Sequence, residues 1–445
     1  MNRLLASMGL VVVLGVPALA QGVDSGLSGP GVSMTGGASP LGSTVPVSSV
    51  EGDGYKVGEG TSVYPVFGLS TGAISNVFYE DTDTHAAGVL RLVGQIGAGS
   101  LSSSRLSANT PSGVDGGGTN LGSFQYRASL RLAYDFMLSG NDAVTSQGGL
   151  GIGATLRGIT NPNGPFSFGF DENFTRLIRA ANFETDADTN RDLNNLALNL
   201  IYHPAGRSLA GYLYYRNTID VFENDDINFA DRMQHRFGLH PLWRVLPQSV
   251  VYADVSLGVF TGLGSASTKT TSYPLIAQAG FATLLSPLLT VNLHAGYTNG
   301  FYSEGPSYSA FTGGAQLGYR YSELGRVALT YDLMYEDSVN ANYYRDHIVR
   351  LSLQQQFVPF LFTVQPELHF RKYDGITDVM GPPTRNDVIF ATNASLRYNF
   401  RNNLSASVDY LFSLVSSDYR YMADGVIDDP SYARHEILLG VLWAL

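Results

Sequence analysis

The chain has 445 residues, a formal net charge of −11 and no cysteine. The acidic balance argues against a nucleic-acid partner, which would need a basic patch, and the lack of cysteine excludes disulfides and thiolate metal sites. Fifty glycines, 26 tyrosines and 23 phenylalanines favour a strand-rich protein with tight turns over a helical one.

The first 60 residues differ in character from the rest. A positive charge at Arg3 precedes a nearly continuous run of apolar or small residues and the tripeptide Ala18-Leu19-Ala20, which has the form of an Ala-x-Ala cleavage site. We therefore predict a secretory signal peptide over residues 1–20. Residues 21–60 are rich in Gly, Ser and Pro and poor in apolar bulk, which predicts a flexible periplasmic segment.

The segment from Phe124 to Phe136 has two alternating faces of opposite chemistry. Because strand side chains alternate between two sides, the pattern predicts a strand with one apolar and one polar face. The apolar face carries Phe124, Tyr126, Ala128, Leu130, Leu132, Tyr134 and Phe136, and the other carries Gln125, Arg127, Ser129, Arg131, Ala133 and Asp135. Aromatic ends around an aliphatic centre are typical of a strand that crosses a bilayer.

The same alternation recurs from about residue 60 to the end, while no apolar run after the signal peptide reaches the ~20 residues of a membrane helix. Counting the segments gives about 18 strands of roughly 10 to 14 residues, a length suited to crossing a bilayer at a tilt. Short connections, such as 246–248 and 358–359, alternate with long acidic ones, such as 223–231 and 417–432. One connection, 101–121, is long where a short turn is due.

A second irregularity concerns residues 165–179, where Glu172 and Arg176 fall on the face that carries four phenylalanines. We interpret this as a bulge or an early strand end. The final segment forms a strand whose Gly440, Trp443 and Leu445 resemble the carboxy-terminal recognition strand of outer-membrane proteins. The final Leu, where an aromatic is usual, and Leu438, where a polar residue is usual, depart from that pattern.

These patterns together predict an all-β transmembrane antiparallel up-and-down β-barrel of about 18 strands over residues 61–445, located in the bacterial outer membrane. A soluble sandwich would alternate too, but it would not combine the signal peptide, the aromatic strand ends and the unequal connections. The expected partners are outer-membrane lipid and the outer-membrane assembly machinery.

No catalytic or metal motif is evident, so we expect neither enzymatic activity nor a cofactor. His435-Glu436 begins like a zinc-protease helix but lacks the second histidine. The acidic run Glu223-Asn224-Asp225-Asp226 could hold calcium or bridge lipopolysaccharide, although a solvated loop explains it equally well. A grouping of Ser, His and Asp in space is left open.

The polar face of the strands is predicted to line the pore. The candidate lining residues are Arg91, Arg127, Arg131, Asp135, Arg157, Tyr212, Tyr214, Arg236, Arg244, Tyr252, Asp254, Arg320, Asp332, Arg350, Glu367, Arg371, Arg397 and Asp409. The arginines could favour anionic or hydroxyl-rich solutes, or they could pair with the carboxylates and brace a wide wall. The three tyrosines could stack on sugar rings or simply pack.

Four segments carry a family resemblance: Tyr215-Arg216-Asn217, Phe222-Glu223, Gln234 to Leu239, and Pro247-Gln248-Ser249. They resemble the outer-membrane β-barrels, termed β-barrel porin type 2, that accompany bacterial exopolysaccharide export systems. The resemblance implies a conduit for polysaccharide that could receive polymer from periplasmic export proteins.

Two other functions stay open at this point. A general or substrate-specific diffusion porin predicts a loop folded inward to constrict the pore, together with ion conductance. A structural or enzymatic barrel with a filled lumen predicts no conductance.

Overall fold

The computed structural model describes residues 54–57, 61–100, 123–162, 164–178, 190–204, 208–265, 267–376, 384–401, 403–423 and 426–445. The predicted signal peptide, nearly all of the predicted flexible segment and the long 101–121 connection lie outside these residues. Within them, no helix combines the length and apolarity needed to span a membrane.

The described part of the chain folds into eighteen long strands that form one closed wall. The strands are β1 Ser62–Ile74, β2 Ala87–Gly99, β3 Phe124–Leu138, β4 Gly149–Thr160, β5 Phe166–Leu177, β6 Arg191–Tyr202, β7 Leu209–Phe222, β8 Arg232–Leu246, β9 Ser249–Gly262, β10 Leu275–Ser286, β11 Leu289–Asn299, β12 Ser309–Ser322, β13 Gly325–Asp337, β14 Tyr343–Phe357, β15 Phe360–Asp374, β16 Thr384–Arg401, β17 Leu404–Ser417 and β18 Tyr432–Ala444. Each strand pairs antiparallel with the next, and β1 pairs with β18, from Val66 opposite Ala444 to Ile74 opposite Glu436. The all-β barrel predicted from the sequence is therefore confirmed.

A few short elements accompany the wall. They are a two-residue strand Tyr55–Lys56 beside β1, the helix α1 Asp142–Thr145, a 3-10 helix Asp225–Ala230 and a small hairpin of Tyr421–Ala423 with Val426–Asp428.

The two faces of the wall differ as the alternation predicts. In β3, the side chain of Leu132 is 41% exposed, whereas its neighbour Arg131 is only 8% exposed. Pairs of aromatic rings flank the apolar belt: Phe67 lies 6.5 Å from Trp443 at one end, and Tyr134 lies 4.6 Å from Phe136 at the other. An apolar outer belt between aromatic girdles is the surface of a membrane-spanning barrel.

The connections alternate in length around the barrel. Two-residue turns close the β8–β9, β10–β11, β12–β13 and β14–β15 hairpins at one end. The longer loops at the opposite end include L4 (223–231), L5 (263–274), L6 (300–308) and L7 (338–342). Because short turns face the periplasm in barrels of this type, we refer to the end with these loops as the outer mouth.

The predicted bulge or early end at Glu172 and Arg176 is wrong. β5 runs without a register shift against either β4 or β6, and Glu172 stands directly opposite Leu156 and Leu196. Both side chains find polar partners that let the strand continue. Asn194 donates a hydrogen bond of 2.6 Å to Glu172, and Arg176 pairs with Glu223.

The position of the lipid-facing belt leads to a first prediction. We expect Leu132→Arg, at the centre of β3, to lower the free energy of unfolding by about 2–4 kcal/mol, because it places a charge at the bilayer midplane. The measurement is denaturant unfolding of the barrel in lipid vesicles. Gln316→Arg, on the inward face of β12, is the matched control. A cost for the control as large as that for Leu132→Arg would contradict this assignment of faces.

Candidate functional site: the lumen and its outer mouth

The predicted pore-lining residues all lie on the inward face of the wall, but they differ in how far neighbouring side chains cover them. The covered ones are Arg91, Arg131, Asp135, Tyr212, Tyr214, Arg236, Tyr252, Asp254, Arg350, Arg371, Arg397 and Asp409. Those partly accessible are Arg127, Arg157, Asp332 and Glu367, and those exposed near the short-turn end are Arg244 and Arg320. Of the predicted insertion signal, Gly440 faces inward and is buried, Trp443 is an exposed belt residue, and Leu445 is partly buried beyond the end of β18.

One part of the lumenal charge network spans the seam where the barrel closes. Arg91 of β2 forms a two-pronged ion pair with Asp135 of β3, with Nε to Oδ1 at 2.6 Å and Nη2 to Oδ2 at 2.8 Å. Arg91 also lies 3.7 Å from Glu436 of β18. Arg91 therefore links β2 and β3, on one side of the seam, to β18 on the other side.

A second part of the network lies on β14 and β15, around Asp346. This carboxylate accepts hydrogen bonds from Arg371 Nε at 3.0 Å, Arg371 Nη2 at 2.7 Å and His369 Nδ1 at 2.9 Å. The ladder continues from His369 to Glu367 at 3.5 Å and from Glu367 to Arg350 at 2.9 Å. The Arg371 guanidinium also lies 4.1 Å from the ring centre of Tyr344. Such an array satisfies many buried charges at once.

Pairing of arginines with carboxylates is one of the two roles that the sequence analysis allows, and the structure contains such pairs. Several of the paired residues were not among those predicted. Arg191 and Arg232 both pair with Asp220, and further pairs form between Arg385 and Asp387 and between Arg434 and Glu436. These residues lie at inward-facing positions of the barrel strands, closer to the outer mouth. Extending the alternation of each strand to its outer end would have identified them.

Two of the three predicted lumenal tyrosines pack against a histidine that the sequence did not single out. His240, which is fully buried, lies between Tyr212 and Tyr252, with ring centres 4.8 Å and 5.5 Å apart. Asp254 binds His240 Nδ1 at 2.9 Å and accepts a hydrogen bond from Tyr214 at 2.9 Å. Asp254 is thus bound to an imidazole and a phenol. The rings cover one another, which favours packing over sugar stacking.

Several inward-facing positions of β10 to β13 carry small side chains. The inward positions of β10 to β13 include Gly280, Gly296, Gly314, Thr312 and Ala328, and along β12 these positions are partly solvent-accessible. Neighbouring side chains fill the space over two of these glycines: Tyr252 covers Gly280, and Asp332 and His294 cover Gly314.

β13 separates from β12 near the outer mouth, while β14 stays paired with β15 up to Tyr343 opposite Asp374. Pairing between β12 and β13 ends at Gly313 and Leu333 in the outward direction, whereas β13 stays paired with β14 as far as Asp337 opposite Tyr343. Tyr308 of L6 fills the resulting gap, with its ring centre 5.0 Å from that of Tyr335. The tip of this hairpin is L7.

L7 is buried, which is unusual for a loop. Ser338, Val339 and Ala341 are each at most 3% exposed. Val339 belongs to an apolar cluster with Phe222 of β7 and with Ile227 and Ala230 of L4. Since β7 stands six strands before β13 in the wall, this contact joins separate sectors of the barrel. L7 therefore extends inward over the lumen.

Polar contacts hold L7 from two further loops. Lys269 Nζ of L5 donates hydrogen bonds to the carbonyl oxygens of Ser338, Val339 and Ala341, the last two at 3.0 Å. Asn342 Nδ2 donates to the carbonyl oxygens of Glu304 and Pro306 in L6, both at 2.9 Å.

Tyr302 adds a third polar contact between L6 and the hairpin tip. Its hydroxyl donates to Asp337 and also lies 2.9 Å from the carbonyl oxygen of Asn342. Burial raises the pKa of Tyr302 well above its usual value, so the phenol keeps the proton with which it donates.

No family model and no curated protein matches the chain. Among solved structures, the barrel is similar to OccK2 (OpdF) of Pseudomonas aeruginosa, with 11% identity over 86% of this chain and 98% of that chain and a TM-score of 0.44. It is also similar to the siderophore receptor PirA from Pseudomonas aeruginosa, with 8% identity over 86% of this chain and 80% of that chain and a TM-score of 0.40. These likenesses are too weak to carry an argument about function.

The assignment of the fold rests on the chain's own geometry. The wall closes through β1 and β18, its strands alternate between an apolar outer and a polar inner face, and its connections alternate in length. Within the described residues, each of the eighteen strands is paired with a neighbour on both sides, which is the condition for strands to span a bilayer. The chain is a transmembrane antiparallel β-barrel of the bacterial outer membrane.

Proposed function

We propose that this protein is a diffusion channel that lets small polar solutes cross the outer membrane and that L7 constricts its outer mouth. The observation that carries the proposal is the burial of L7 against L4, L5 and L6. A barrel of 16–18 strands leaves an aqueous channel, so a loop folded over its opening limits the size of what passes.

The lumenal charges support a channel of weak charge preference. Several of the buried arginines pair with carboxylates, as in Arg91 with Asp135 and Arg350 with Glu367. Paired charges present little net potential to a passing ion. Their hydrogen-bonding groups still suit polar solutes, because lumenal residues set selectivity in such barrels.

Export of polysaccharide is the second candidate, and it rests on the sequence resemblance of segments such as Tyr215-Arg216-Asn217. A polymer chain would need a continuous opening, so this function requires L7 to leave the mouth. Periplasmic export proteins are its expected partners. The two functions therefore differ in what the isolated barrel does.

The deciding experiment reconstitutes the purified mature chain in planar bilayers and in liposomes. A diffusion channel gives steady ion conductance and admits sugars up to a size limit in liposome swelling. A barrel that conducts no ions and admits no sugar would overturn the proposal. A deletion strain that loses surface polysaccharide but takes up small solutes normally would favour export instead.

A further inference from the structure

Two arginines on the lumen wall stand directly opposite each other. Arg216 of β7 is the register partner of Arg236 of β8, and both occupy inward-facing positions. Arg236 is 5% exposed, whereas Arg216 is partly accessible and its guanidinium lies 4.7 Å from the ring centre of Tyr214. Like charges that face each other across paired strands destabilise a sheet. The two residues, which we call the arginine pair, therefore require a compensating negative charge.

Carboxylates on the surrounding strands do not supply that charge through an ion pair. On β7, β8 and β9, which the structure describes in full, the inward-facing acids are Asp220 and Asp254. Asp220 already pairs with two other arginines, and Asp254 is already bound by an imidazole and a phenol. The Nε atoms of Arg216 and Arg236 are both buried, and neither donates to an acceptor within the described residues. The arginine pair thus keeps donors that are free to bind an anion.

The arginine pair lies where a solute arrives after it has passed L7. Phe222, which packs against Val339 of L7, lies six residues outward of Arg216 on the same strand. Arg236 also acts electrostatically on Asp337, at the base of L7, from beyond ion-pair distance. The pair is therefore inside the channel, on the lumenal side of the constriction.

We propose that the arginine pair binds the oxyanion group, a carboxylate or a phosphate, of a small solute in transit. A guanidinium offers a planar fork of N–H donors that matches the oxygens of such a group. An oxyanion held between the two guanidinium groups would offset the repulsion between them. The inference rests on the proposed channel function and adds a solute class to it. Several other lumenal arginines have carboxylate partners, so a preference for anions would arise at this pair.

Binding is tested by urea unfolding of the full barrel in detergent micelles with added succinate, inorganic phosphate or succinamide, a neutral analogue of succinate. Succinate or phosphate is expected to raise the unfolding midpoint of the wild type, because a ligand that binds only the folded state stabilises it. Succinamide should not. Arg216→Met and Arg236→Met should each weaken the apparent anion affinity at least about tenfold.

Two features keep this measurement free of general effects of charge and folding. Arg326→Met is the matched control, because it removes the same charge at an exposed position near the short turns, and it should respond to anions as the wild type does. Without anion, Arg236→Met should be at least as stable as the wild type, since it removes an unpaired buried charge. The anion that acts at the lower concentration decides between carboxylate and phosphate. Equal anion responses of the wild type and Arg236→Met would overturn the proposal.

Conductance separates this inference from the channel function itself. In planar bilayers, added succinate should interrupt the current through the wild type and Arg326→Met, and about tenfold higher concentrations should be needed for Arg236→Met. A chain that conducts ions but shows the same succinate response in all variants would overturn the site and keep the channel. A chain that conducts no ions, yet is stabilised by succinate only when the arginine pair is intact, would overturn the channel and keep the site.

Discussion

Val339→Asp is expected to open the outer mouth and raise the single-channel conductance. Val339 is 2% exposed and packs against Phe222, Ile227 and Ala230. A carboxylate placed in this apolar cluster would lose its water, at a cost of about 3 kcal/mol. A cost of that size shifts the balance between the closed and open positions of L7 by on the order of a hundredfold.

The measurement is conductance in planar bilayers, together with the size limit for sugars in liposome swelling. Val358→Asp is the matched control, because it makes the same substitution at a 74% exposed position in a turn at the opposite end of the barrel. The constriction assigned to L7 is refuted if folded Val339→Asp has the conductance and size limit of the wild type.

Lys269→Met provides an independent approach to the same loop. Its ammonium group donates to three carbonyl oxygens of L7, so its removal should also raise conductance. If Lys269 and Val339 both act by holding L7, the double variant Lys269→Met/Val339→Asp will raise conductance by less than the sum of the two single effects. Such non-additivity is expected for residues that act on the same element.

Asp346→Ala is expected to cause the largest loss of stability in the lumen, about 3–5 kcal/mol in the free energy of unfolding. The substitution leaves Arg371, which is 3% exposed, and His369 buried without the carboxylate that they share. Because breaking a buried ion pair leaves an uncompensated charge, the cost exceeds the value of the contact itself. Urea unfolding in detergent micelles measures it.

Two further variants separate charge loss from loss of packing. Asp346→Asn keeps the size and an acceptor oxygen and should cost less than Asp346→Ala. The double variant Asp346→Ala/Arg371→Met removes both charges and should recover part of the loss, since a buried pair can often be replaced by apolar groups. A loss below about 1 kcal/mol for Asp346→Ala would show that the pair is solvated rather than buried.

The strands and the two faces of the wall could be predicted from the sequence because each follows from a local pattern. The alternation in β3 placed Leu132 in the belt and Arg131 in the lumen, and the structure agrees. The same rule placed Glu172 on the apolar face. We interpreted that as an irregularity because an acid in the belt conflicts with a lipid environment, whereas the strand tolerates it by bonding Glu172 to Asn194.

The partners of individual charges could be predicted only in part. The partners in the pairs Arg91–Asp135 and Arg350–Glu367 lie on adjacent strands. These pairings therefore follow from the alternation of two neighbouring strands. Asp254 was expected beside an arginine, but it binds His240 and Tyr214. Which side chains meet across a wall depends on the relative register of several strands, and register is set by hairpin geometry and core contacts together.

The sequence by itself determined the class of protein, a transmembrane β-barrel with a polar interior. This was possible because the alternation with a period of two and the apolar outer face are local features of each strand's sequence. Only the tertiary structure decided that L7 covers the mouth and that Glu172 and His235 fall in one row on the outer face of the wall. Val339 meets Phe222 from a strand six places away, and Glu172 shares a row with His235 from a strand three places away. Such contacts arise when the barrel closes and sets the register of each strand, which no local pattern records.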